Sequence, residues 1–292
     1  MRGENFASTA GFGLRGRVPR RRSAAVAVLL AVTGLVAGCA GAGGGHRAVI
    51  SLPRAVPSGP AAEGDRPAAA QPLPPGPLGR YVAKLPAFPP APAPTPVTVP
   101  PGPAAGWYSR IQTTDRVAFL TIDDGWVKKP EAIELLTRAK VPVTLFLTVN
   151  AIKDNPDYFT KLRDAGATIE AHTVSHPSLT GRSYAFQRKE ICGSADWLAQ
   201  RYGRRPVLFR PPFGNKDATT LRAVRDCGMK AAFFWTETVD KGKVRYQKGH
   251  TVQPGDIILM HFRPAFADDF LAALTAIHKA GLTPAVLGDY VN

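Results

Sequence analysis

Two adjacent carboxylates, Asp123 and Asp124, follow an apolar run and precede Gly125. The apolar residues from Val117 to Leu120 predict a buried strand, so the carboxylates stand at its C-terminal end, where α/β folds carry their chemistry. Neighbouring side chains of an extended chain point to opposite faces, so the two aspartates cannot do the same job. We therefore expect one to bind a cation and the other to accept a proton. A plain turn is the alternative, since Asp and Gly are common turn residues.

A pair of histidines, His172 and His176, follows a second short strand pattern. Two histidines four apart can meet one cation if the backbone coils after the first, and neutral imidazole is a favoured ligand for zinc. With Asp124 they supply two nitrogens and one oxygen and leave positions open for water and substrate, as catalytic metal sites do. A solvated loop is the alternative when the pair is taken by itself.

Two further polar residues end predicted strands. Arg210 leaves a strand into the stiff loop Pro211-Pro212-Phe213-Gly214, where its guanidinium could pin a carboxylate and the Phe213 amide could face a developing oxyanion. His261 ends the apolar run that starts at Ile257; a histidine titrates near neutrality and suits a general acid. A structural turn and a satisfied buried histidine are the alternatives.

These residues require strands that end side by side. The pattern predicts strands at residues 117–122, 143–149, 168–171, 207–209, 230–235, 257–260 and 284–287, and helices at residues 130–138, 156–165, 184–202, 218–227 and 265–280. Repeated β-α units predict a parallel sheet, and this number of them predicts a barrel.

The four stretches together resemble the polysaccharide deacetylases, carbohydrate esterase family 4, also called the NodB homology domain. The matching motifs occur in order: Thr121-Ile122-Asp123-Asp124-Gly125, His172-Thr173-Val174-Ser175-His176-Pro177, Arg210-Pro211-Pro212-Phe213-Gly214 and Leu259-Met260-His261. The resemblance covers about residues 110–290. It implies a distorted (β/α) barrel of about seven parallel strands and metal-dependent removal of N- or O-acetyl groups from a polysaccharide.

The resemblance also implies roles for single residues. Asp123 looks like the catalytic base, Arg210 like the residue that orients it, and His261 like the catalytic acid. Asp124, His172 and His176 look like the ligands of a divalent metal. Zinc suits these ligands best, and cobalt, nickel and manganese use similar ones.

Substrate residues are less well defined by the motifs. Trp126 stands where the family usually has proline and could stack on a sugar ring. The family's Asp-x-x-Asp-Trp motif is not reproduced, although Trp235 and Asp240 lie in the corresponding region. We count Phe213, Trp126, Trp235 and Leu259 as candidate substrate or oxyanion contacts.

The first 105 residues differ in composition from the rest. Residues 1–38 carry a basic head and an apolar run typical of an export signal. Leu35-Val36-Ala37-Gly38-Cys39 resembles a bacterial lipobox, which implies lipidation of Cys39 and a protein anchored to the outer face of the cell membrane or wall; a plain signal peptide is the alternative. Residues 39–105, rich in Pro, Ala and Gly, predict a disordered linker. The deacetylase-like domain is expected over residues 106–292, as a monomer.

The formal charge of +15 is spread along the chain, with about +7 in residues 106–292. This favours an anionic neighbourhood such as headgroups or cell-wall polymers. Nucleic acid is not expected, because the basic residues are not gathered with aromatics on one face. In an exported protein Cys192 and Cys227 could pair, but their positions in the sequence do not decide it.

The sequence therefore predicts an exported deacetylase acting on an acetylated amino-sugar polymer such as peptidoglycan or a chitin-like chain. An O-acetyl (acetylxylan-type) esterase is one alternative, because it needs the same residues and differs in the leaving group. A non-catalytic wall-binding lipoprotein is the other, and the altered fourth motif is its support.

Overall fold

The computed structural model describes residues 72–292. The expected signal peptide at residues 1–38, the lipidated Cys39 and the linker up to residue 71 lie outside the described residues. Among the helices that the structure does describe, none is both long and apolar enough to cross a membrane.

Helices alternate with strands through the described chain. The strands are β1 (Gly106–Tyr108), β2 (Val117–Asp124), β3 (Val143–Leu147), β4 (Ala167–Ala171), β5 (Leu208–Phe209), β6 (Ala231–Phe233), β7 (Glu237–Asp240), β8 (Lys243–Tyr246), β9 (Ile257–His261) and β10 (Thr283–Pro284). The helices are α1 (Pro77–Val82), α2 (Pro130–Ala139), α3 (Val149–Ile152), α4 (Pro156–Asp164), α5 (Tyr184–Tyr202), α6 (Ala218–Asp226) and α7 (Phe266–Lys279), with short 3₁₀ helices at Pro212–Gly214 and Leu287–Tyr290.

The strands form one sheet in the order β1-β6-β5-β4-β3-β2-β9-β7-β8, with β10 beside β2. Within the described range only the β7–β8 hairpin is antiparallel. The prediction of a largely parallel α/β fold is confirmed, and the sheet curls as a half-barrel. Six of the seven predicted strands are present, whereas the strand predicted at residues 284–287 overlaps β10 only at Pro284 and ends in the 3₁₀ helix that begins at Leu287. The pattern missed β1, which is very short, and the β7–β8 hairpin, whose turn residues Lys241 and Gly242 both have positive φ.

Alternation along β2 divides its side chains between two cores. Leu120 and Ile122 pack into the larger cluster between the sheet and its helices. Phe119 belongs to a smaller cluster inside the curl, with Phe146. Asp123 follows the same alternation as Phe119, so its carboxylate faces the inside of the curl at the strand's C-terminal end.

Residues 72–105 correct the expectation of a disordered linker that extends to residue 105. Val97 pairs with Val291 in a parallel bridge, and the Thr95 amide donates to Asp115 Oδ2 at 3.2 Å. The Phe88 ring packs edge-on to His278. Prolines have little backbone entropy to lose, so a few apolar contacts are enough to hold such a segment.

Cys192 of α5 and Cys227, the residue that follows α6, form a disulfide bond. The sequence had left this pairing open. The bond ties α5 to α6 on the side of the sheet that carries β4 and β5.

Candidate metal centre and active site

Polar side chains follow the C-terminal ends of four neighbouring strands. Asp123 and Asp124 end β2, His172 follows β4, Arg210 follows β5 and His261 ends β9. The register of the parallel pairs sets Asp123 opposite His261. These four strands, with β3 between β4 and β2, lie in the order β5-β4-β3-β2-β9, so residues far apart in the sequence meet at one edge.

Asp124, His172 and His176 each offer one ligand atom, and these atoms lie within 4.8 Å of one another. The Nε2 atoms of His172 and His176 are 3.6 and 3.3 Å from Asp124 Oδ1. Burial raises the pKa of Asp124 and, as the largest influence, lowers the pKa of His172 to about 3. The His172 imidazole is therefore neutral at pH 7, as a metal ligand must be.

Two hydrogen-bond observations fit a cation at this cluster. Asp124 Oδ1 is buried without a hydrogen-bond partner. His172 Nδ1 lies 2.6 Å from the backbone oxygen of Arg210. A carbonyl only accepts, so Nδ1 carries the proton and the lone pair of Nε2 faces Asp124 Oδ1. The donor set of two imidazole nitrogens and one carboxylate suits zinc and related divalent metals.

Backbone strain concentrates at the same edge of the sheet. Among the described non-glycine residues with positive φ are Asp124 (76°), Thr173 (70°), His176 (61°) and Phe213 (61°). Such conformations cost about 1–3 kcal/mol each and persist only where the surroundings enforce them. Gly125 (φ 113°) needs its lack of a side chain as well, since a Cβ would lie 2.5 Å from Ile152.

The histidine loop is held by Glu190 of α5, a residue that the sequence analysis did not identify. Its carboxylate accepts hydrogen bonds from the amides of Val174 (3.0 Å) and Ser175 (2.8 Å) and from the Ser175 hydroxyl (2.8 Å). Thr173 Oγ1 accepts from the His176 amide at 3.0 Å. The only sign of this role in the sequence is an acidic residue on the helix that follows the histidine motif.

Arg210 is fully buried and holds the inward carboxylate. Its Nη1 donates to Asp123 Oδ1 and to Thr121 Oγ1, each at 2.7 Å, and Nη2 donates to the Phe234 carbonyl oxygen at 3.0 Å. The guanidinium lies 4.4 Å from the centre of the Phe146 ring. These contacts leave Asp123 Oδ2 directed toward the cluster, 3.7 Å from His172 Nε2.

His261 departs from the expectation that it titrates near neutrality. Burial lowers its pKa to about 4, although the Asp123 carboxylate opposes the shift. No carboxylate within the described chain forms an ion pair or hydrogen bond with its ring, and Asp240, the nearby candidate for the family's tuning aspartate, pairs instead with Arg263 at 3.1 Å. At pH 7 the imidazole of the free protein is therefore neutral.

The candidate substrate residues occupy different environments. Trp126 and Phe213 are exposed, at 54% and 60%, and the Phe213 ring packs edge-on against His176 at 4.8 Å. Trp235 stacks on Phe234 at 4.0 Å and lies 5.8 Å from the Arg210 guanidinium. Leu259 is a buried β9 residue paired with Thr121, so its side chain is part of the fold rather than an open surface.

Residues 110–232 match the family model described as polysaccharide deacetylase. Together with the half-barrel and the Asp-His-His cluster, this match shows that this part of the chain is similar to the polysaccharide deacetylase family. The expectation drawn from the motifs is confirmed at this level.

Two curated relatives and two solved structures show how far the similarity extends. An uncharacterized protein of Streptomyces coelicolor is 44% identical over 150 residues, which cover 51% of this chain and 60% of the relative, less than two thirds of its length. The peptidoglycan-N-acetylmuramic acid deacetylase PdaA of Bacillus subtilis is 27% identical over 184 residues, covering 59% and 70%.

The structure of PdaA, a family 4 carbohydrate esterase, superimposes with a TM-score of 0.55 at 24% identity, covering 64% of this chain and 85% of PdaA. A family 4 pseudoenzyme from Bacillus anthracis superimposes with a TM-score of 0.56 at 20% identity, covering 65% and 70%. At these identities the superpositions show the shared fold alone.

Proposed function

We propose that this protein is a metal-dependent deacetylase that removes N-acetyl groups from an amino-sugar polymer of the cell wall or a chitin-like chain. The observation that carries the proposal is the meeting of Asp124, His172 and His176 beside an Asp123 carboxylate held by buried Arg210. The similarity of residues 110–232 to the polysaccharide deacetylase family supports the reaction class.

Each residue of the site has its own role in the proposed reaction. Asp124, His172 and His176 would hold a divalent cation, which would polarise the acetyl carbonyl and lower the pKa of an attacking water. Asp123 takes the proton of that water, and Arg210 orients its carboxylate through the hydrogen bond to Oδ1. His261, opposite Asp123 on β9, carries the proton to the leaving group. Trp126 and Phe213 offer exposed aromatic faces to the sugar. The Phe213 backbone N–H donates a hydrogen bond to the oxyanion that forms from the acetyl carbonyl.

The environment of His261 gives weight to an O-acetyl esterase as the second candidate. Cleavage of an amide requires a proton on the departing nitrogen, whereas a sugar alkoxide leaves an ester with less help from an acid. A histidine with a pKa of about 4 holds little of its protonated form at pH 7, so few molecules of the free protein can donate a proton to a departing amine.

The proposed site of action is outside the cytoplasm. The disulfide between Cys192 and Cys227 suits an oxidising compartment. The export signal and the lipobox at Cys39 support a protein tethered to the membrane and acting on the adjacent wall.

The test is acetate release by the full chain after metal removal and reloading with zinc, cobalt, nickel or manganese. Peptidoglycan glycan strands, chitin oligomers and acetylated xylan are compared as substrates. We expect release from the first two with at least one metal, none after chelation, and a loss of at least 10³-fold in kcat for Asp123→Asn, on the scale of removing a positioned base, about 10²–10⁴-fold. Release only from xylan selects the esterase. Binding of a polymer without acetate release from any substrate would identify a non-catalytic wall-binding protein.

A further inference from the structure

We infer that a cavity of about 690 Å³ between α1, α2 and α7 is a second carbohydrate subsite, which binds a hexosamine unit of the polymer away from the reacting acetyl group. The inference rests on the proposed function and extends it to how the polymer is held. The volume lies in the range of small-molecule sites, about 300–1,000 Å³. The residues that define its chemistry are Leu78, Tyr81, Lys129, Glu131, Glu134 and Asp268.

The cavity lies at the catalytic end of the sheet. Lys129 belongs to the loop that connects Asp124 to α2, and Pro264 to the loop that connects His261 to α7. Lys129 Nζ donates to the Pro264 carbonyl oxygen at 3.1 Å, so the two loops are joined at the cavity wall. The cavity is therefore lined by the same two loops that lead away from Asp124 and His261, and a polymer across the strand ends would pass along them.

The charged side chains that line the cavity indicate which kind of ligand it binds. Three carboxylates, those of Glu131, Glu134 and Asp268, line the cavity. Glu131 pairs with Lys129 at 3.3 Å and Glu134 pairs with Arg138 at 2.7 Å. Because both cations already have a carboxylate partner, the cavity disfavours phosphate, anionic lipid headgroups and acidic peptides. A neutral hexosamine, or one whose amine has been freed and protonated, meets no such repulsion and offers hydroxyl donors to the carboxylates.

The walls suit a sugar ring as well. Tyr81 donates its hydroxyl to Asp268 Oδ1 at 2.7 Å, which fixes an aromatic side chain at the cavity. Pro77, Leu78 and Ala267 add apolar surface for the C–H faces of a pyranose. The helix α1 precedes residues 110–232, the part of the chain that matches the family model. The subsite is thus a feature that this chain's own N-terminal segment adds to the domain.

The experiment compares the affinities of the hexamer and the dimer of N-acetylglucosamine by calorimetry. The parent for binding is the full zinc-loaded chain with Asp123→Asn, which prevents turnover. Tyr81→Ala removes the aromatic wall, and Asp268→Asn removes a charge while keeping an acceptor for the Tyr81 hydroxyl, so that α1 remains docked. Asp196→Asn, an exposed carboxylate on α5 that does not line the cavity, is the matched control.

We expect the hexamer to bind at least tenfold more tightly than the dimer in the parent and in Asp196→Asn. That ratio should fall about tenfold in Tyr81→Ala and about threefold in Asp268→Asn. The inference is overturned if the parent shows no preference for the hexamer, or if both cavity variants keep the parent ratio. Acetate release is measured separately on the chain with Asp123 intact, so a loss of the subsite and a failure of the deacetylase proposal give different results.

Discussion

Replacing the buried Arg210 with methionine should abolish acetate release while leaving zinc affinity within about threefold of the parent. The side chain makes three hydrogen bonds, to Asp123, Thr121 and the Phe234 carbonyl, and methionine removes all of them. The link to the metal cluster is different, because His172 Nδ1 donates to the backbone oxygen of Arg210, which every substitution retains. The base and the metal ligands are therefore held by different parts of one residue.

Arg210→Met leaves the buried Asp123 carboxylate without its ionic partner, and this sets the cost in stability. Asp123 is only 2% exposed, and removal of one partner of a buried ion pair costs about 3–5 kcal/mol.

Urea unfolding of the parent, Arg210→Met, Asp123→Asn and the double variant measures this cost, and calorimetric zinc titration measures the affinity. We expect a coupling free energy of at least about 2 kcal/mol between the two sites. The reasoning is refuted if Arg210→Met costs under about 1 kcal/mol, or if zinc affinity falls a hundredfold.

Three other predictions concern groups around the site. Glu190→Gln weakens the acceptor that holds the histidine loop, so zinc affinity should fall about 10–100-fold by calorimetry, and an unchanged affinity would remove the positioning role. Burial raises the pKa of Glu237 to about 8, so the folded protein loses stability as pH rises from about 4.5 to 8. Across that pH range, the free energy of unfolding of Glu237→Gln in urea should rise relative to that of the parent by up to roughly 4 kcal/mol. A difference between the two proteins that does not change with pH would contradict this. Serine at both Cys192 and Cys227 should cost about 4 kcal/mol for a loop of this length, and a change below about 1 kcal/mol would show that the bond adds little.

The sequence was sufficient for the residues that end the strands. Apolar runs report burial, and polar residues directly after them report the edge at which parallel strands finish. Asp124, His172 and His176 could therefore be proposed as one cluster, and the structure brings their ligand atoms within 4.8 Å. Local composition was less informative for residues 72–105, because a proline-rich sequence with few large apolar residues can still pack against the rest of the domain.

Only the tertiary structure decided how these residues are held and charged. Glu190 lies on α5, outside the histidine loop in the sequence, and its carboxylate contacts the Ser175 amide because α5 packs against that loop. The pKa of His261 depends on how deeply the curl of the sheet buries it, and no local pattern reports that depth. The sequence by itself determined which side chains stand at the strand ends, since strand periodicity is a local property. The distances, hydrogen-bond partners and protonation states of those side chains depend on contacts between distant segments, and these exist only once the sheet has closed into its half-barrel.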